Sequence, residues 1–200
     1  MAIYHLRAQV ISRGKGRSAI AAAAYRAADR IHDDRLGRDH SYENKQGVEY
    51  KEILAPENAP AWVHDRAQLW NHVEAAESRK DAQVAREMDV ALPVELGKDE
   101  QVALLKEFVS DQFVKRGMVA DVAIHRDNPE NPHAHIMLTT RTIDENGFGQ
   151  KAREWNAKEM LMDWRSEWAL CANHHLYRAN QQVRIDHRSF EAQGIRLEPT

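Results

Sequence analysis

The stretch MVADVAIHRDNPENPHAHIMLTTR, residues 118–141, decides the fold that we expect. Its outer parts, VADVAIH and HAHIMLTT, are rich in β-branched and apolar residues, and the segment between them holds two prolines and two asparagines, which favour turns. The pattern predicts two antiparallel strands with a short connection. Because side chains two residues apart on a strand point the same way, His133 and His135 share a face, and strand pairing places His125 beside them.

Three imidazoles on one hairpin predict a metal site. Imidazole suits Mn, Zn, Fe and Ni, and three protein ligands leave coordination positions open for a substrate. A lone histidine in a chain with eleven is more often an ordinary surface residue, so the shared face carries this prediction.

The rest of the chain alternates between strand and helix patterns. Further strands are expected at 2–12 and 84–92, with a hairpin at 39–54 around NKQG. Helices are expected from the N-cap Ser18 through 33, from near Pro60 to 79, from 97 to Gly117, and over 155–178. The sum is an α+β fold, an antiparallel sheet with helices on one or both faces. No repeat or linker divides residues 1–200, which favours one domain.

Composition favours a soluble, cytoplasmic protein. The longest apolar runs fall short of the ~20 residues of a membrane span, the first residues do not resemble a secretion signal, and the single Cys171 suits a reducing compartment. The formal charge of −3 argues against a nucleic-acid partner, but residues 1–30 carry six Lys and Arg against Asp29 alone. Because salt screens charges beyond about 10 Å, that local excess could still face a polyanion.

Tyr25 lies in AIAAAAYRAAD, residues 19–29, where alanines give the helix little side-chain bulk. A packed alanine helix with an ordinary tyrosine would have the same sequence. The functional alternative is that the bare helix surface lets a bulky substrate approach the hydroxyl. In a continuous helix Asp29 would share a face with Tyr25, with Arg26 beside them.

These segments together resemble the MobA/MobL (MobQ-type) conjugative relaxases, within the class of His-hydrophobe-His single-strand endonucleases. MAIYHLRAQVISR is similar to the family's opening strand, AAAAYRAAD to its nucleophile helix and VAREMDVALPVEL to its acidic strand. VAIHRDNPENPHAHIM is similar to its metal motif and RIDHRSFEAQGI to its closing segment, so the resemblance covers essentially the whole chain. It implies a five-stranded antiparallel sheet with flanking helices, and a place at the N-terminal end of a longer protein would suit the family.

The resemblance implies plasmid mobilisation by site- and strand-specific nicking of origin-of-transfer DNA. Tyr25 is then the nucleophile, forming a 5′-phosphotyrosine that can be religated. The three histidines hold one divalent cation, Mn²⁺ or Mg²⁺. Glu87 takes the position of an acidic residue near the metal, and Asp89, which stands where some relatives have glutamate, is a second acid on the same strand face. Asp89 and Asp29 are candidates for residues that orient a metal-binding side chain without binding the metal themselves.

The implied partners are single-stranded origin DNA with an adjacent hairpin, relaxosome accessory proteins and a type IV secretion coupling protein. A monomer in the bacterial cytoplasm, encoded on a plasmid, is expected. Trp155, Trp164 and Trp168 lie at helical spacing and are expected in the core. The expected phosphate contacts are Arg7, Arg13, Lys15, Arg17, Arg26, Arg184 and Arg188.

Two other functions remain open at this point. A rolling-circle replication initiator uses the same chemistry, but it usually carries its tyrosine after the histidines, whereas Tyr25 precedes them. A DNA-binding module or antitoxin-like repressor could use the histidines for a structural metal and would need no accessible Tyr25.

Overall fold

The computed structural model describes residues 4–189 and 191–194. The strands in this part of the chain are β1 (Leu6–Ser12), β2 (Arg30–Asp33), β3 (Arg38–Ser41), β4 (Val48–Leu54), β5 (Gln83–Ala91), β6 (Ala120–His125), β7 (His133–Leu138), β8 (Arg141–Asp144) and β9 (Gly147–Lys151). The α-helices are α1 (Ala19–Ala27), α2 (Arg66–Ala75), α3 (Lys98–Gln112) and α4 (Lys158–Arg178). Short 3-10 turns lie at Arg13–Lys15, Ala61–His64, Val114–Arg116 and Arg153–Asn156.

Five strands form one antiparallel sheet in the order β1-β5-β7-β6-β4. The inner strands β5 and β6 are buried along almost their whole length, whereas the edge strands β1 and β4 carry exposed side chains. β2 pairs with β3 and β8 with β9 in two small hairpins. The expected α+β fold with a five-stranded antiparallel sheet is therefore confirmed.

Helices cover both faces of the sheet, and each face has its own core. The neighbouring residues Ile136 and Met137 of β7 point to opposite faces, so Ile136 joins the core that contains α3 and α4, and Met137 joins the one that contains α1 and α2. The expected core position of Trp155, Trp164 and Trp168 is confirmed, since all three are buried in the first of these cores.

The register of the central strands gathers the histidines and the acids. Pairing of β6 with β7 sets His125 opposite His133, and pairing of β5 with β7 sets Asp89 opposite His135. Directly opposed residues in an antiparallel pair point to the same face. Glu87 lies two residues before Asp89 and therefore also projects from the face that carries the histidines.

The helix that follows Ser18 is shorter than the sequence predicts. Ser18 caps it as expected, because its Oγ accepts a hydrogen bond from an N–H of the first turn. The helix then ends because Ala28 adopts a left-handed φ of 50°, and the next residues form β2 against β3. The predicted continuation to 33, and with it the helical spacing of Tyr25 and Asp29, is wrong.

The predicted hairpin at 39–54 is also wrong. β3 pairs with β2, and β4 pairs with β6, so each strand finds a partner other than its neighbour in that segment. Gly47 in NKQG adopts a φ of 88° and packs against Asp127. Its carbonyl accepts a hydrogen bond from the backbone N–H of Arg126, 2.8 Å away. This segment therefore supports the connection between β6 and β7 instead of forming a local turn.

The other helices lie near their predicted positions. The segment after Pro60 forms a 3-10 turn before α2 begins, and Asp65 caps α2 through its side chain. The helix from 97 ends at Gln112, and Gly117 closes the following turn. Within the described ranges, no helix is both long and apolar enough to cross a membrane.

Replacing Gly47 by Ala is expected to destabilise the fold more than replacing Gly37 by Ala. Both glycines have positive φ, but an added Cβ at Gly47 would lie 2.8 Å from the Asp127 Cβ, and at Gly37 it would meet nothing within 4 Å. We expect a loss in the free energy of unfolding of about 1–2 kcal/mol for Gly37→Ala and about 1–3 kcal/mol more for Gly47→Ala. Urea unfolding measures both, and equal losses would contradict the close packing at Gly47.

Candidate active site

The structure brings the three predicted histidines together at one end of the β6–β7 hairpin. One ligand atom from each of His125, His133 and His135 lies within 4.8 Å of the others. Their ring centroids are 4.5 to 5.3 Å apart. His125 is almost fully buried, and the other two are half-buried, so the cluster has one closed and one open side.

In each histidine, one ring nitrogen faces an oxygen acceptor. His125 Nε2 donates to the backbone carbonyl of Arg26 at 2.7 Å, and His133 Nδ1 donates to the carbonyl of Asn131 at 3.1 Å. His135 Nδ1 lies against the Asp89 carboxylate. In a neutral ring the second nitrogen then carries the lone pair, which is how metal-binding histidines are held in proteins. At His125 this nitrogen, Nδ1, lies 3.3 Å from Lys45 Nζ.

The protonation preferences of two histidines differ because their surroundings differ. Burial, with the nearby charges of His135 and Lys45, lowers the pKa of His125 to about 4, even though its hydrogen bond to Arg26 acts in the opposite direction. Burial also opposes protonation of His135, but hydrogen bonds to Asp89 and Glu87 outweigh it and raise the pKa of that imidazole. A neutral His125 and a His135 backed by carboxylates are a donor set that fits a divalent cation.

Glu87 is a buried, ionised carboxylate at the centre of the site. Burial alone would raise its pKa, but hydrogen bonds from His135 and Arg26 lower that pKa to about 2. It pairs with Arg26, accepts a 2.7 Å hydrogen bond from Gln9 Nε2, and lies 3.7 Å from Arg17. Glu87 therefore holds two arginines beside the histidine cluster.

The two aspartates proposed to support the site are placed differently. Asp89 contacts His135 directly. Asp29 instead lies 3.4 Å from Lys51 Nζ and 3.5 Å from Arg66 Nη1. The structure therefore brings Asp89, and not Asp29, against a histidine of the cluster.

Tyr25 is 42% exposed near the end of α1. Its ring packs edge-on against Tyr42, with centroids 5.2 Å apart. The next residue, Arg26, has the backbone carbonyl to which His125 donates. The helix that carries the phenol is therefore fastened to the hairpin that carries the imidazoles.

Lys45 is a residue of this site that the sequence reasoning missed. Its Nζ lies 4.9 Å from the centre of the Tyr25 ring and 3.3 Å from His125 Nδ1. Burial is the main cause that lowers the pKa of Lys45. Lys45 belongs to NKQG, which the sequence predicted only as a hairpin turn, so its place beside Tyr25 and His125 could not be read from local sequence.

A cavity of about 670 Å³ opens beside Tyr25. Small residues of α1 and the loop before it, Gly16, Ala21 and Ala22, form part of its wall, as expected for a helix surface without bulk. Among its described lining residues are seven Lys and Arg and no Asp or Glu. These cations are Arg13, Arg17, Arg26, Arg35, Arg38, Arg79 and Lys80.

The expected phosphate contacts fall into three groups. Arg17 and Arg26 line this cavity, and Arg13 also reaches it, but all three guanidinium nitrogens of Arg13 donate to oxygens of Glu74, Glu77 and Arg79. Arg7 and Lys15 are exposed outside the cavity lining. Arg184 and Arg188 are exposed at the C-terminal end, hydrogen-bonded to Gln181 and Val183 and to Asp186, respectively.

Comparisons with known proteins identify the family of this chain. The model of the MobA/MobL family matches residues 17–200. The chain is 38% identical over its whole length to the conjugal transfer protein TraA of Rhizobium radiobacter and to the mobilization protein MobL of Acidithiobacillus ferridurans. It spans 21% of the length of that TraA and 61% of that MobL.

Two solved structures share the fold. A chain from work on the molecular basis of vancomycin resistance transfer in Staphylococcus aureus is 39% identical, with a TM-score of 0.88 over 94% of this chain and 100% of that one. A metal-bound structure of the conjugative relaxase TrwC with oriT DNA is 12% identical, with a TM-score of 0.59 over 91% and 73%. With 17–200 matched by the family model, the chain belongs to the MobA/MobL family.

Proposed function

We propose that this chain nicks one strand of origin-of-transfer DNA during plasmid mobilisation, with Tyr25 as nucleophile. The observation that carries the proposal is the hydrogen bond from His125 to the Arg26 carbonyl, which holds the tyrosine helix against the histidine cluster. Relatives that are conjugal transfer and mobilisation proteins, and the fold shared with a relaxase bound to oriT DNA, support it.

In the proposed reaction, the Tyr25 oxygen attacks a phosphorus of the DNA backbone. The phenol gives up its proton as a bond forms between phosphorus and the phenolic oxygen. The bond from phosphorus to the 3′ oxygen breaks, and that oxygen takes up one proton and leaves as a 3′-hydroxyl, so the proton lost balances the proton gained. The product is a 5′-phosphotyrosine. Because this ester roughly conserves the energy of the broken bond, the same site can run backwards and rejoin a strand, which simple hydrolysis could not do.

His125, His133 and His135 would hold one divalent cation, with Mn²⁺ or Mg²⁺ as the candidates. Such a cation supplies Lewis-acid stabilisation and orients the scissile phosphate. Asp89 keeps His135 turned toward the cluster, and the Arg26 carbonyl does the same for His125. The chain's own residues thus fix the ligand geometry before a substrate arrives.

Arg26 and Lys45 place positive charge around the nucleophile. The Arg26 guanidinium carbon lies 5.1 Å from the centre of the Tyr25 ring and is held there by Glu87. The Lys45 ammonium lies on the same ring. Phosphoryl transfer depends mainly on positioning and on stabilisation of negative charge, which these groups would supply beside the phenol.

The cavity beside Tyr25 is the proposed path of the single strand. Cations of its lining other than Arg13, whose nitrogens already donate within the protein, would contact backbone phosphates. The small-residue wall leaves room for the strand at the phenol. The adjacent DNA hairpin, relaxosome accessory proteins, the secretion coupling protein, the monomeric state and the cytoplasmic location stay predictions.

The exposed phenol favours this function over a DNA-binding module with a structural metal. Such a module needs no accessible Tyr25, whereas 42% of this residue is exposed beside a cationic cavity. The family match and the position of Tyr25 before the histidines disfavour a rolling-circle initiator.

Tyr25→Phe is expected to abolish the covalent protein–DNA adduct and to leave DNA binding within about twofold, because only the hydroxyl is removed. The measurement is mass spectrometry after incubation with labelled single-stranded origin-of-transfer DNA and Mn²⁺. Tyr42→Phe is the matched control, since Tyr42 packs on the same ring, and it should still form the adduct. Adduct formation by Tyr25→Phe would show that another residue is the nucleophile.

Asp89→Asn is expected to weaken Mn²⁺ binding about tenfold, because a carboxylate behind a ligating histidine orients it and strengthens it as a donor. Asp29→Asn should leave the affinity unchanged, since Asp29 pairs with Lys51 and Arg66. Joint replacement of His133 and His135 by Ala should abolish binding. Isothermal titration calorimetry measures all three, and equal effects of the two aspartate variants would contradict the proposed ligand set.

Joint replacement of Arg38 and Lys80 by Gln is expected to weaken single-stranded DNA binding and to reduce its salt dependence. Each lost phosphate contact lowers the slope of log affinity against log salt by about 0.7 for single strands. Both residues are exposed in the cavity lining, so the fold should tolerate the change. Lys115→Gln, in the 3-10 turn that follows α3, is the control, and fluorescence anisotropy at several salt concentrations is the measurement. An unchanged slope would place the strand outside this cavity.

A further inference from the structure

A second cavity, of about 360 Å³, lies on the opposite face of the sheet from the histidines. Its walls come from the edge strand β1, from β5 and from the first turn of α4. Met88 and Trp164, which line it, belong to the core beneath α3 and α4, whereas Glu87 projects to the histidine face. The cavity is therefore separate from the proposed nucleophile site.

Arg86 is a buried cation in this cavity without a carboxylate partner. It is 5% exposed, its Nε donates to Asn156 Oδ1 at 3.1 Å, and its Nη2 donates to the Ala152 carbonyl at 2.8 Å. Its Nη1 is buried and has no partner among the described residues. Burial lowers the pKa of Arg86 to about 10, and the charge of Glu154 only partly opposes this. Buried charges in proteins are normally paired, so this position lacks an anion.

A second buried donor without a partner lines the same cavity. Trp164 is 2% exposed, and no acceptor among the described residues reaches its Nε1–H. An indole N–H can only donate, and leaving a buried donor unpaired is costly. Arg86 Nη1 and Trp164 Nε1 are therefore two donors from residues of one cavity lining that have no acceptor among the described residues.

The N-terminus of α4 provides further donors at this place. Asn156, Ala157 and Lys158 line the cavity, and the N-cap Ala157 has no side chain that could accept from the first turn. The free N–H groups and the positive end of the dipole of a 21-residue helix favour an anion. Lys158 adds an exposed cation, and the described lining residues include no Asp or Glu. Glu159, in the same turn, is exposed and lies outside the lining.

We propose that this cavity binds a phosphate group, held by Arg86 Nη1, Trp164 Nε1 and the first turn of α4. The phosphate could belong to a free nucleotide or to the backbone of a DNA strand. β1 is the edge of the sheet, so a strand that leaves the histidine face can pass around it to the opposite face. Binding of a DNA backbone phosphate rests on the proposed nicking function, whereas binding of a free nucleotide does not.

The test uses ¹⁵N-tryptophan-labelled Tyr25→Phe protein, in which DNA stays uncleaved. Trp164→Phe assigns the Trp164 indole peak among the five tryptophans. The probes are inorganic phosphate, deoxyadenosine 5′-monophosphate and a single-stranded oligonucleotide. We expect a saturable shift of the Trp164 peak. A shift with phosphate and with the nucleotide identifies a free-phosphate site, and a shift with the oligonucleotide alone identifies a backbone site.

Two variants test the named donors. Arg86→Gln keeps polar contacts but loses the charge and is expected to weaken binding about tenfold or more, as for charge-assisted hydrogen bonds. Lys158→Gln, at an exposed position that should not affect folding, is expected to weaken binding about threefold. Lys115→Gln is the control and should bind like the parent.

The proposal is overturned if no probe shifts the Trp164 peak, or if Lys158→Gln and any folded Arg86→Gln bind like the control. Nicking by the wild-type chain is measured separately with origin-of-transfer DNA. Because phosphate binding does not need Tyr25, loss of nicking and loss of this site are distinguishable.

Discussion

The hydrogen bond from His125 Nε2 to the carbonyl of Arg26, 2.7 Å long, joins two segments that are far apart in sequence. Because a carbonyl can only accept, this contact fixes the proton on Nε2 and leaves the lone pair of the neutral ring on Nδ1. It also fastens the last turn of α1 to the end of β6. Tyr25 precedes Arg26, so this contact positions the phenol relative to the imidazoles, and Lys45, which lies against both the Tyr25 ring and His125, adds to it.

That contact exists because α1 ends early. The last carbonyls of a helix have no intrahelical partner, and other groups must satisfy them. The left-handed Ala28 ends the helix, and the carbonyls of Arg26 and Ala27 are then free to accept from His125 Nε2 and Lys51 Nζ. Had the helix continued, the Arg26 carbonyl would accept a hydrogen bond from a backbone N–H of the next helical turn, and His125 would lose its acceptor. The C-terminus of α1 is therefore part of the site.

The sequence predicts those parts of the site that depend on local pattern. The period of two along β7, with a turn-rich connection before it, was enough to gather the three histidines on one face. The position of Glu87 and Asp89 near them was an implication of the family resemblance. The helix end was not predictable in this way, since an alanine gives no signal for a left-handed φ at Ala28. The pairing of β4 with β6 and the placement of Lys45 follow from tertiary packing, which brings together residues about eighty positions apart.

The formal charge of −3 is a poor guide to what the protein surface can bind, because acidic and basic side chains are unevenly distributed over the fold. Buried carboxylates are used to hold cations: Glu74 binds Arg13, and Glu87 holds Arg17 and Arg26. These acids point inward, while the cavity beside Tyr25 presents cations without a carboxylate among its described lining residues. At moderate salt a bound strand responds to charges within about 10 Å. A chain that is acidic in total can therefore present a cationic path beside the phenol, where the proposed reaction places a phosphodiester.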